Sequence, residues 1–326
     1  MPDGGAPARS ASQPGQVEPL NAAPPCPAPY LPPWLPPAEI VRVDGRGEFF
    51  VRRHRHPDPA APTVLLLHGW TASADLQFLA AYEALGAICS FVGIDHRGHG
   101  RGMRSLDAFT LDEVADDAAA VVRQLDIESV IALGYSMGGP IALHLTRRHA
   151  DLVSGLVLQA TALEWNATRR ERVLWRLLPM MGVALRSWAQ PLAIRKGTEV
   201  LLDESSALWP YRRWIAAESL RNEPRAVVQA GKALSRYDAR SWASQLGVPA
   251  AVLISTKDRL VKPRKQRQLA DALDATVVEV AMDHLGALER PVQFSSATVE
   301  LVSSVAASVA ASPPLDGSMR SANVST

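Results

Sequence analysis

A serine stands between glycines at the end of an apolar run, in Gly134-Tyr135-Ser136-Met137-Gly138. Where a buried strand turns sharply into a helix, glycines two positions to either side of the central residue let the two backbones approach without a Cβ clash. The turn lifts the serine hydroxyl above the sheet edge, beside the positive N-terminal end of the helix. This spacing predicts that Ser136 is a nucleophile.

A serine hydroxyl needs a base to take its proton, and histidine is the usual one. Three histidines follow Ser136 in the chain. At about 1.5 Å per helical residue, His144 and His149 lie roughly 12 Å and 20 Å along the helix that leaves the serine, which is too far. His284 follows a predicted strand by four residues, in a loop at the same sheet edge. We therefore predict His284 as the base.

The base needs an acid that fixes its tautomer and stabilises the imidazolium. Asp258 fits this role because it lies three residues beyond the strand predicted over 250–255, again at a strand end. Glu164, one strand earlier, is the alternative acid. Asp283 adjoins His284 and is interpreted as structural.

Two backbone amides are expected to hold the oxyanion of a tetrahedral intermediate. One is the N–H of Met137, directly after the nucleophile. The other is the N–H of Trp70, in the loop His68-Gly69-Trp70 that follows the strand predicted over 63–67. The Trp70 indole either forms a wall of the acyl pocket or packs in the core.

The elements that must position these residues alternate between strands and helices. Short β-rich runs at 39–43 and 48–53 flank Asp44-Gly45, a hairpin signal. Runs rich in Val, Ile and Leu, typical of strands buried on both faces, follow at 63–67, 90–94, 129–133, 156–159, 250–255 and 276–280. The pattern predicts an α/β fold with a mostly parallel sheet, helices on both faces and ligands at the carboxyl ends of the strands.

One helix is marked clearly. Thr110-Leu-Asp-Glu113 has the pattern of a capping box, and an apolar stripe with helical spacing follows it, formed by Leu111, Val114, Ala118, Val121, Val122 and Leu125.

The chain divides into five segments. Residues 1–37 hold twelve of the 25 prolines and are predicted to be a disordered arm. The part around Trp34 either docks in an aromatic groove of a partner or lies along the domain surface. Residues 38–161 and 241–311 form the core, and 312–326 form a disordered tail. Residues 162–240 form an inserted helical cap, whose five tryptophans pack it or line a substrate cavity.

Composition excludes several classes of protein. The 34 Lys and Arg residues against 33 Asp and Glu leave a net charge of +1, which supplies no footprint for nucleic acid. Two cysteines, Cys26 and Cys89, are too few for a disulfide framework or a zinc site and indicate free thiols in the cytoplasm. No run of 18 apolar residues and no signal peptide occur. The arginines of 168–186 leave contact with an anionic lipid surface as a disfavoured alternative.

Three motifs carry a resemblance to a known family: His68-Gly69-Trp70, the loop from Asp95 to Gly100 (Asp-His-Arg-Gly-His-Gly), and Gly134-Tyr-Ser136-Met-Gly-Gly139. They resemble the serine α/β-hydrolase superfamily, in particular bacterial esterases and monoacylglycerol-lipase-like members, over roughly 39–311. The resemblance implies an eight-stranded sheet, a cap after the sixth strand and no cofactor or metal. It also implies a structural role for the Arg-Gly-His-Gly loop, and we interpret His68, His96 and His99 as loop-structuring residues.

The expected activity is hydrolysis of carboxylic esters through an acyl-enzyme, with a small, hydrophobic ester as substrate. The same three side chains also serve lactonases, thioesterases, carbon–carbon bond hydrolases and cofactor-free haloperoxidases. A homologue that binds a ligand without turnover is a further alternative. The oligomeric state is not predicted by the sequence.

Overall fold

The computed structural model describes residues 34–202 and 204–311. Eight strands form one sheet in the order β1-β2-β4-β3-β5-β6-β7-β8. Their bounds are Ala38–Val43 (β1), Gly47–His54 (β2), Thr63–Leu67 (β3), Ser90–Ile94 (β4), Val130–Tyr135 (β5), Val153–Gln159 (β6), Ala250–Ser255 (β7) and Thr276–Val280 (β8). β2 is antiparallel to both β1 and β4, and every other pair is parallel. The predicted α/β fold with a mostly parallel sheet is confirmed.

Helices cover both faces of the sheet. Their bounds are Ala74–Phe78 (α1), Tyr82–Gly86 (α2), Leu111–Gln124 (α3), Gly138–Arg148 (α4), Arg169–Arg176 (α5), Leu178–Ala184 (α6), Gln190–Leu201 (α7), Arg212–Ser219 (α8), Pro224–Leu234 (α9), Pro263–Ala272 (α10), Gly286–Glu289 (α11) and Pro291–Ala311 (α12). Successive side chains of a strand point to opposite faces. Leu65 and Leu67 therefore pack in the apolar cluster that includes α3 and α4, while Val64 and Leu66 pack in the one that includes α2 and α12.

Helix α3 begins where the sequence predicted, but its capping box is only half formed. The Thr110 hydroxyl accepts the Glu113 N–H at 3.1 Å. The Glu113 carboxylate instead lies 3.6 Å from both Arg46 and Arg97, because two guanidinium groups attract it more strongly than a backbone N–H. A complete capping box occurs at the start of α5, where Thr168 and Glu171 bond each other reciprocally.

The N-terminal boundary of the core lies before the predicted one. Residues 34–37, which we assigned to the disordered arm, lie along the domain surface. The Trp34 ring packs edge-on against His54 and Tyr82, and the Pro36 carbonyl accepts a hydrogen bond from Arg52 at 3.0 Å. The rest of the predicted arm and the whole predicted tail, 312–326, lie outside the described residues.

Helix α12 is, within 34–202 and 204–311, the one helix long and apolar enough to cross a membrane. Its apolar stripe packs against the protein core. Phe294, Leu301, Val302 and Val305 are buried in the apolar cluster on one face of the sheet. A helix whose stripe faces a sheet belongs to the core. We therefore assign α12 to the packing of the core rather than to a bilayer.

The segment between β6 and β7 carries helices α5 to α9, in the region predicted as a cap. Its last part is tied to the core by polar contacts. Asn222, between α8 and α9, accepts the Gly100 N–H at 3.1 Å and donates to the Thr71 carbonyl at 2.8 Å. Arg101 of the core pairs with Glu218 of α8 at 2.7 Å. Helices α6 and α7 and the turn between them expose apolar side chains to solvent: Met180, Val183, Trp188 and Val200.

A buried ion pair fixes the loop that follows β4. Both nitrogens of the Arg97 fork donate to Asp117 of α3, at 2.7 Å and 2.8 Å. The residues are only 7% and 3% exposed, respectively. Paired donors and acceptors of this planar geometry hold a loop in one orientation. This contact supports the structural role that the resemblance implied for the Arg97 loop.

Replacing Asp117 by Ala should leave the buried Arg97 guanidinium without its hydrogen-bonded partner, with Glu113 remaining 3.6 Å away. Breaking such a pair costs about 3–5 kcal/mol, so we expect the free energy of unfolding in urea to fall by about 3 kcal/mol. The control is Asp151→Ala, which breaks an exposed pair with Arg123 and should cost less than about 1 kcal/mol. Equal small losses in both variants would contradict the anchoring role of Asp117.

Candidate active site

The structure brings together the three side chains that the sequence grouped. The Ser136 Oγ lies 2.9 Å from His284 Nε2. On the other side of the ring, His284 Nδ1 lies 2.8 Å from Asp258 Oδ2. A carboxylate only accepts hydrogen bonds, so Nδ1 carries the proton and Nε2 is left to accept one from the serine hydroxyl. In this arrangement His284 Nε2 can take the proton from the Ser136 hydroxyl.

Ser136 occupies a strained turn between β5 and α4. Its φ of 53° lies in the left-handed region, which costs free energy for any residue with a Cβ. The neighbouring glycines make the turn feasible: a Cβ on Gly134 would lie 2.2 Å from the Gly138 carbonyl oxygen, and one on Gly138 would lie 1.9 Å from the Leu67 carbonyl oxygen. Both contacts are far too short, so the turn requires glycine at both positions.

The His284 loop is held from two sides. Asp283, interpreted from the sequence as structural, accepts the His284 N–H at 2.8 Å and bonds Arg259 Nε at 2.6 Å. The Tyr135 hydroxyl donates to the His284 carbonyl at 2.6 Å. Burial raises the pKa of Tyr135, and the nearby Asp258 carboxylate raises it further, so this hydroxyl stays protonated and remains a donor.

Tyr135 was not singled out in the sequence. The available signal was a hydroxyl at the end of a wholly apolar strand, since a buried Tyr usually finds a hydrogen-bond partner. The partner itself lies 149 positions away in the chain, and only the fold reveals it.

Asp258 is surrounded by donors. Its Oδ1 accepts the N–H groups of Leu260 and Val261, each at 2.8 Å. Its Oδ2, which binds His284, also accepts from Gln266 Nε2 at 3.1 Å. Gln266 is fully buried on α10 and its Oε1 accepts the Ser255 N–H at 2.9 Å. Gln266 was also missed, although a glutamine on the apolar face of a helix was a signal for a buried polar role.

Glu164, the alternative acid, has other partners. Its carboxylate pairs with Lys265 of α10 at 2.8 Å. It also accepts the N–H groups of Asn166 and Ala167 at 3.0 Å and 2.9 Å. Lys265 contacts Glu171 of α5 as well. Glu164 therefore helps to anchor the start of the cap, and Asp258 is the acid that contacts His284.

The two predicted oxyanion donors flank the nucleophile. Met137 forms the N-terminal boundary of α4, and Trp70 belongs to the loop after β3. Within the described ranges, no acceptor is recorded for either backbone N–H. The Trp70 indole lines the cavity and donates to the Val227 carbonyl of α9 at 2.8 Å. The sequence left open whether the indole lines a pocket or only packs. It does both, because it lines the cavity and packs against the cap.

A cavity of about 1120 Å³ opens over Ser136 and His284. The cap supplies much of its apolar wall, through Leu185, Ile194, Leu201, Ile215 and Val227. The core supplies Trp70, Leu76 and Gln77. Within 34–202 and 204–311, no group of three His, Cys, Asp or Glu side chains is suited to hold a metal ion.

Three buried histidines lie close together in the loops that follow β3 and β4. The His68 and His96 rings are 4.0 Å apart, and the His99 ring lies 5.7 Å from that of His68. Burial lowers the pKa of His68 well below its usual value, that of His96 to about 3 and that of His99 to about 4. His68 Nε2 accepts the His96 N–H at 3.0 Å, so its Nδ1 donates to the Gly69 carbonyl at 2.8 Å. Neutral His68 thereby shapes the loop that presents Trp70.

Comparison with known proteins identifies the family. A sequence model of the alpha/beta hydrolase fold matches residues 62–291. The chain belongs to the α/β-hydrolase family. It is 27% identical to AB hydrolase superfamily protein YisY of Bacillus subtilis (strain 168) over 230 residues, which are 68% of this chain and 81% of that protein.

A further relative of this α/β hydrolase and a solved structure of the same fold carry names that state an activity. The pimeloyl-(acyl-carrier protein) methyl ester esterase of Neisseria meningitidis serogroup C is 29% identical over 221 residues, covering 66% of this chain and 83% of the relative. The crystal structure of an enol-lactonase from Burkholderia xenovorans LB400 superposes with a TM-score of 0.69 and 22% identity, covering 81% of this hydrolase and all of the other chain. The predicted resemblance is confirmed, and hydrolase activity is supported.

The histidine cluster makes stability depend on pH. The pKa of His96 is about 3 in the folded protein and about 6.5 in an unfolded chain. Between these values the unfolded state binds more protons, so the folded state loses stability as the pH falls from 6.5 towards 3. Urea unfolding at pH 6.5 and 4.5 should therefore show a loss of unfolding free energy for the wild type that exceeds the loss for His96→Leu by about 2 kcal/mol. Equal losses would show that His96 is not responsible.

Proposed function

We propose that this protein is a cofactor-free serine hydrolase that cleaves carboxylic esters through an acyl-enzyme. The observation that carries the proposal is the hydrogen-bonded series from Ser136 through His284 to Asp258, with distances of 2.9 Å and 2.8 Å. A nucleophile and base within hydrogen-bond reach, with the base oriented by a third group, is the arrangement that activates a serine.

The reaction follows from the donors and acceptors present. His284 Nε2 takes the proton of Ser136 as Oγ bonds the ester carbonyl carbon, and Asp258 stabilises the imidazolium. The N–H groups of Met137 and Trp70 bind the resulting oxyanion. The intermediate collapses, His284 gives its proton to the leaving alcohol, and Ser136 retains the acyl group. Water then repeats the sequence, with His284 as base, and releases the acid.

A hydrophobic ester is the substrate that the cavity favours. Its apolar wall buries hydrocarbon, and burial of apolar area is the main favourable term in binding to such a pocket. The methyl ester esterase named above acts on an ester, which supports this class. Lactones, thioesters, activated carbon–carbon bonds and peroxidation remain alternatives for the same three side chains. Rates on nitrophenyl esters, lactones, thioesters and monoacylglycerols of increasing chain length separate them.

Loss of either reacting side chain should abolish turnover. Ser136→Ala and His284→Ala should each lower kcat on a nitrophenyl ester by about 10⁴-fold to 10⁶-fold, and the double variant should lose little more because the groups act as a unit. A fluorophosphonate probe should label the wild type and spare Ser136→Ala. Ser303→Ala, an exposed serine on α12, is the labelled control. Wild-type protein that resists the probe would favour a ligand-binding homologue without turnover.

Tyr135→Phe should lower kcat by about tenfold while leaving the fold intact. The ring stays packed against Phe294, but the His284 carbonyl loses its donor, and imprecise placement of a catalytic base slows the reaction. Steady-state kinetics and thermal unfolding measure the two effects separately. The matched control, Tyr211→Phe in the cap, should keep wild-type kcat. An unchanged kcat in Tyr135→Phe would show that the hydroxyl does not position His284.

A further inference from the structure

Helix α1 carries three buried polar side chains, and two of them are satisfied within the protein. Ser73 caps the helix by accepting the Leu76 N–H at 3.2 Å. Asp75 binds the Arg52 guanidinium at 2.8 Å and the Tyr82 hydroxyl at 3.2 Å. The third, Gln77, is only 7% exposed. No hydrogen bond to its carboxamide is recorded among residues 34–202 and 204–311, and the side chain lines the catalytic cavity.

The Gln77 carboxamide lies beside the nucleophile. A methyl group built on Gly69 would lie 3.1 Å from Gln77 Oε1 and 3.4 Å from Ser136 Cβ. The two side chains therefore face the same side of the Gly69 backbone. That backbone leads directly into Trp70, whose N–H is the expected oxyanion donor. A group bound by Gln77 consequently lies near the reacting carbonyl.

The carboxamide can be reached from the cavity, because its polar atoms are not among the fully buried side-chain atoms that lack a hydrogen bond. A ligand that fills the cavity removes the amide from solvent, and burial of an amide without a hydrogen bond is unfavourable. The neighbouring apolar residues Leu76 and Phe78 show that α1 can place hydrocarbon at this depth. A ligand group that bonds the carboxamide avoids this cost, which makes a substrate the natural partner of Gln77.

We propose that Gln77 forms a recognition subsite for a neutral hydrogen-bonding group close to the reacting carbonyl of the substrate. This inference rests on the proposed function. The carboxamide presents both a donor and an acceptor and has no formal charge, so it matches a hydroxyl, carbonyl or amide group. The substrate class is thereby narrowed from hydrophobic esters in general to esters that carry such a group within a few bonds of the carbonyl, with hydrocarbon beyond it.

Two pairs of isosteric esters test the subsite. Ethyl 3-hydroxybutyrate and ethyl 3-methylbutyrate differ by a hydroxyl or a methyl on the acyl side. 2-Hydroxyethyl butyrate and propyl butyrate differ likewise on the alcohol side. The wild type should prefer the hydroxylated member of at least one pair by roughly tenfold in kcat/KM, because the methyl leaves the amide unpaired. Gln77→Met, which keeps the shape and removes the amide, should abolish that preference. Gln124→Met, exposed at the end of α3, should retain it.

Other kinetic results overturn the proposal. Equal kcat/KM within both pairs for the wild type means that no subsite exists. A Gln77→Met variant that loses activity equally on all four esters would make Gln77 an oxyanion donor instead. In both cases fluorophosphonate labelling of Ser136 stays positive, so the proposed function survives. A wild type that neither reacts with the probe nor hydrolyses any ester overturns both proposals.

Thermal unfolding supplies a readout that does not depend on turnover. If the carboxamide is free to bind a ligand, Gln77→Met removes no hydrogen bond made within residues 34–202 and 204–311, and the Tm should stay the same or rise. A Tm lowered by several degrees would assign the amide a structural hydrogen bond and overturn the subsite. Gln266→Met provides the contrast, since its amide bonds Asp258, Ser255 and Val261, and its Tm should fall.

Discussion

The site depends on one constraint: three loops must meet at the carboxyl edge of a parallel sheet. Ser136 follows β5, Asp258 follows β7 and His284 follows β8, and the contact between the serine and the histidine joins residues 148 positions apart. Parallel strands deliver all their carboxyl ends to one edge, so side chains distant in the chain become neighbours. The strained turn at Ser136 is tolerated because the surrounding backbone has no room for another conformation.

The geometry is maintained by a layer of polar groups outside the three reacting side chains. Asp258 receives two backbone N–H groups and the Gln266 amide in addition to His284, while Tyr135 holds the carbonyl of the histidine. These contacts are buried or partly buried, where a hydrogen bond is stronger than in water. The reacting atoms therefore stay within hydrogen-bond distance without a bound substrate, which reduces the reorganisation that the reaction requires.

Local patterns in the sequence predicted much of this molecule. Strand bounds at β3, β4, β7 and β8 matched the apolar runs. β3, β4 and β7 are buried strands, and their apolar composition is a direct signal for that. β8 is an edge strand with Thr276, Val277 and Glu279 exposed, so the expectation of burial on both faces was wrong for it. The side chains later found in contact were grouped from the glycine spacing around Ser136, from the exclusion of His144 and His149, and from the strand ends before Asp258 and His284. Tyr135, Gln266 and the partners of Glu164 were beyond such reasoning, since a buried polar residue is explained only by what faces it. Glu113 is a further case that local patterns could not predict. Its carboxylate pairs with Arg46 and Arg97 and therefore does not complete the capping box.

The core and the cap contribute different parts of the cavity lining. The cap is anchored at its start by the Lys265 pairs with Glu164 and Glu171, and at its end by Asn222, while the helices between these anchors line the cavity with hydrocarbon. Substitutions in those helices alter the length and shape of the apolar group that fits in the cavity. They do not move the sheet edge where the reacting side chains lie. Gln77 belongs to the core, beside Ser136, so polar selection near the carbonyl is tied to the same rigid elements as the chemistry. Substitutions in the cap can consequently change hydrocarbon selectivity while the proposed polar contact next to the reacting carbon stays in place.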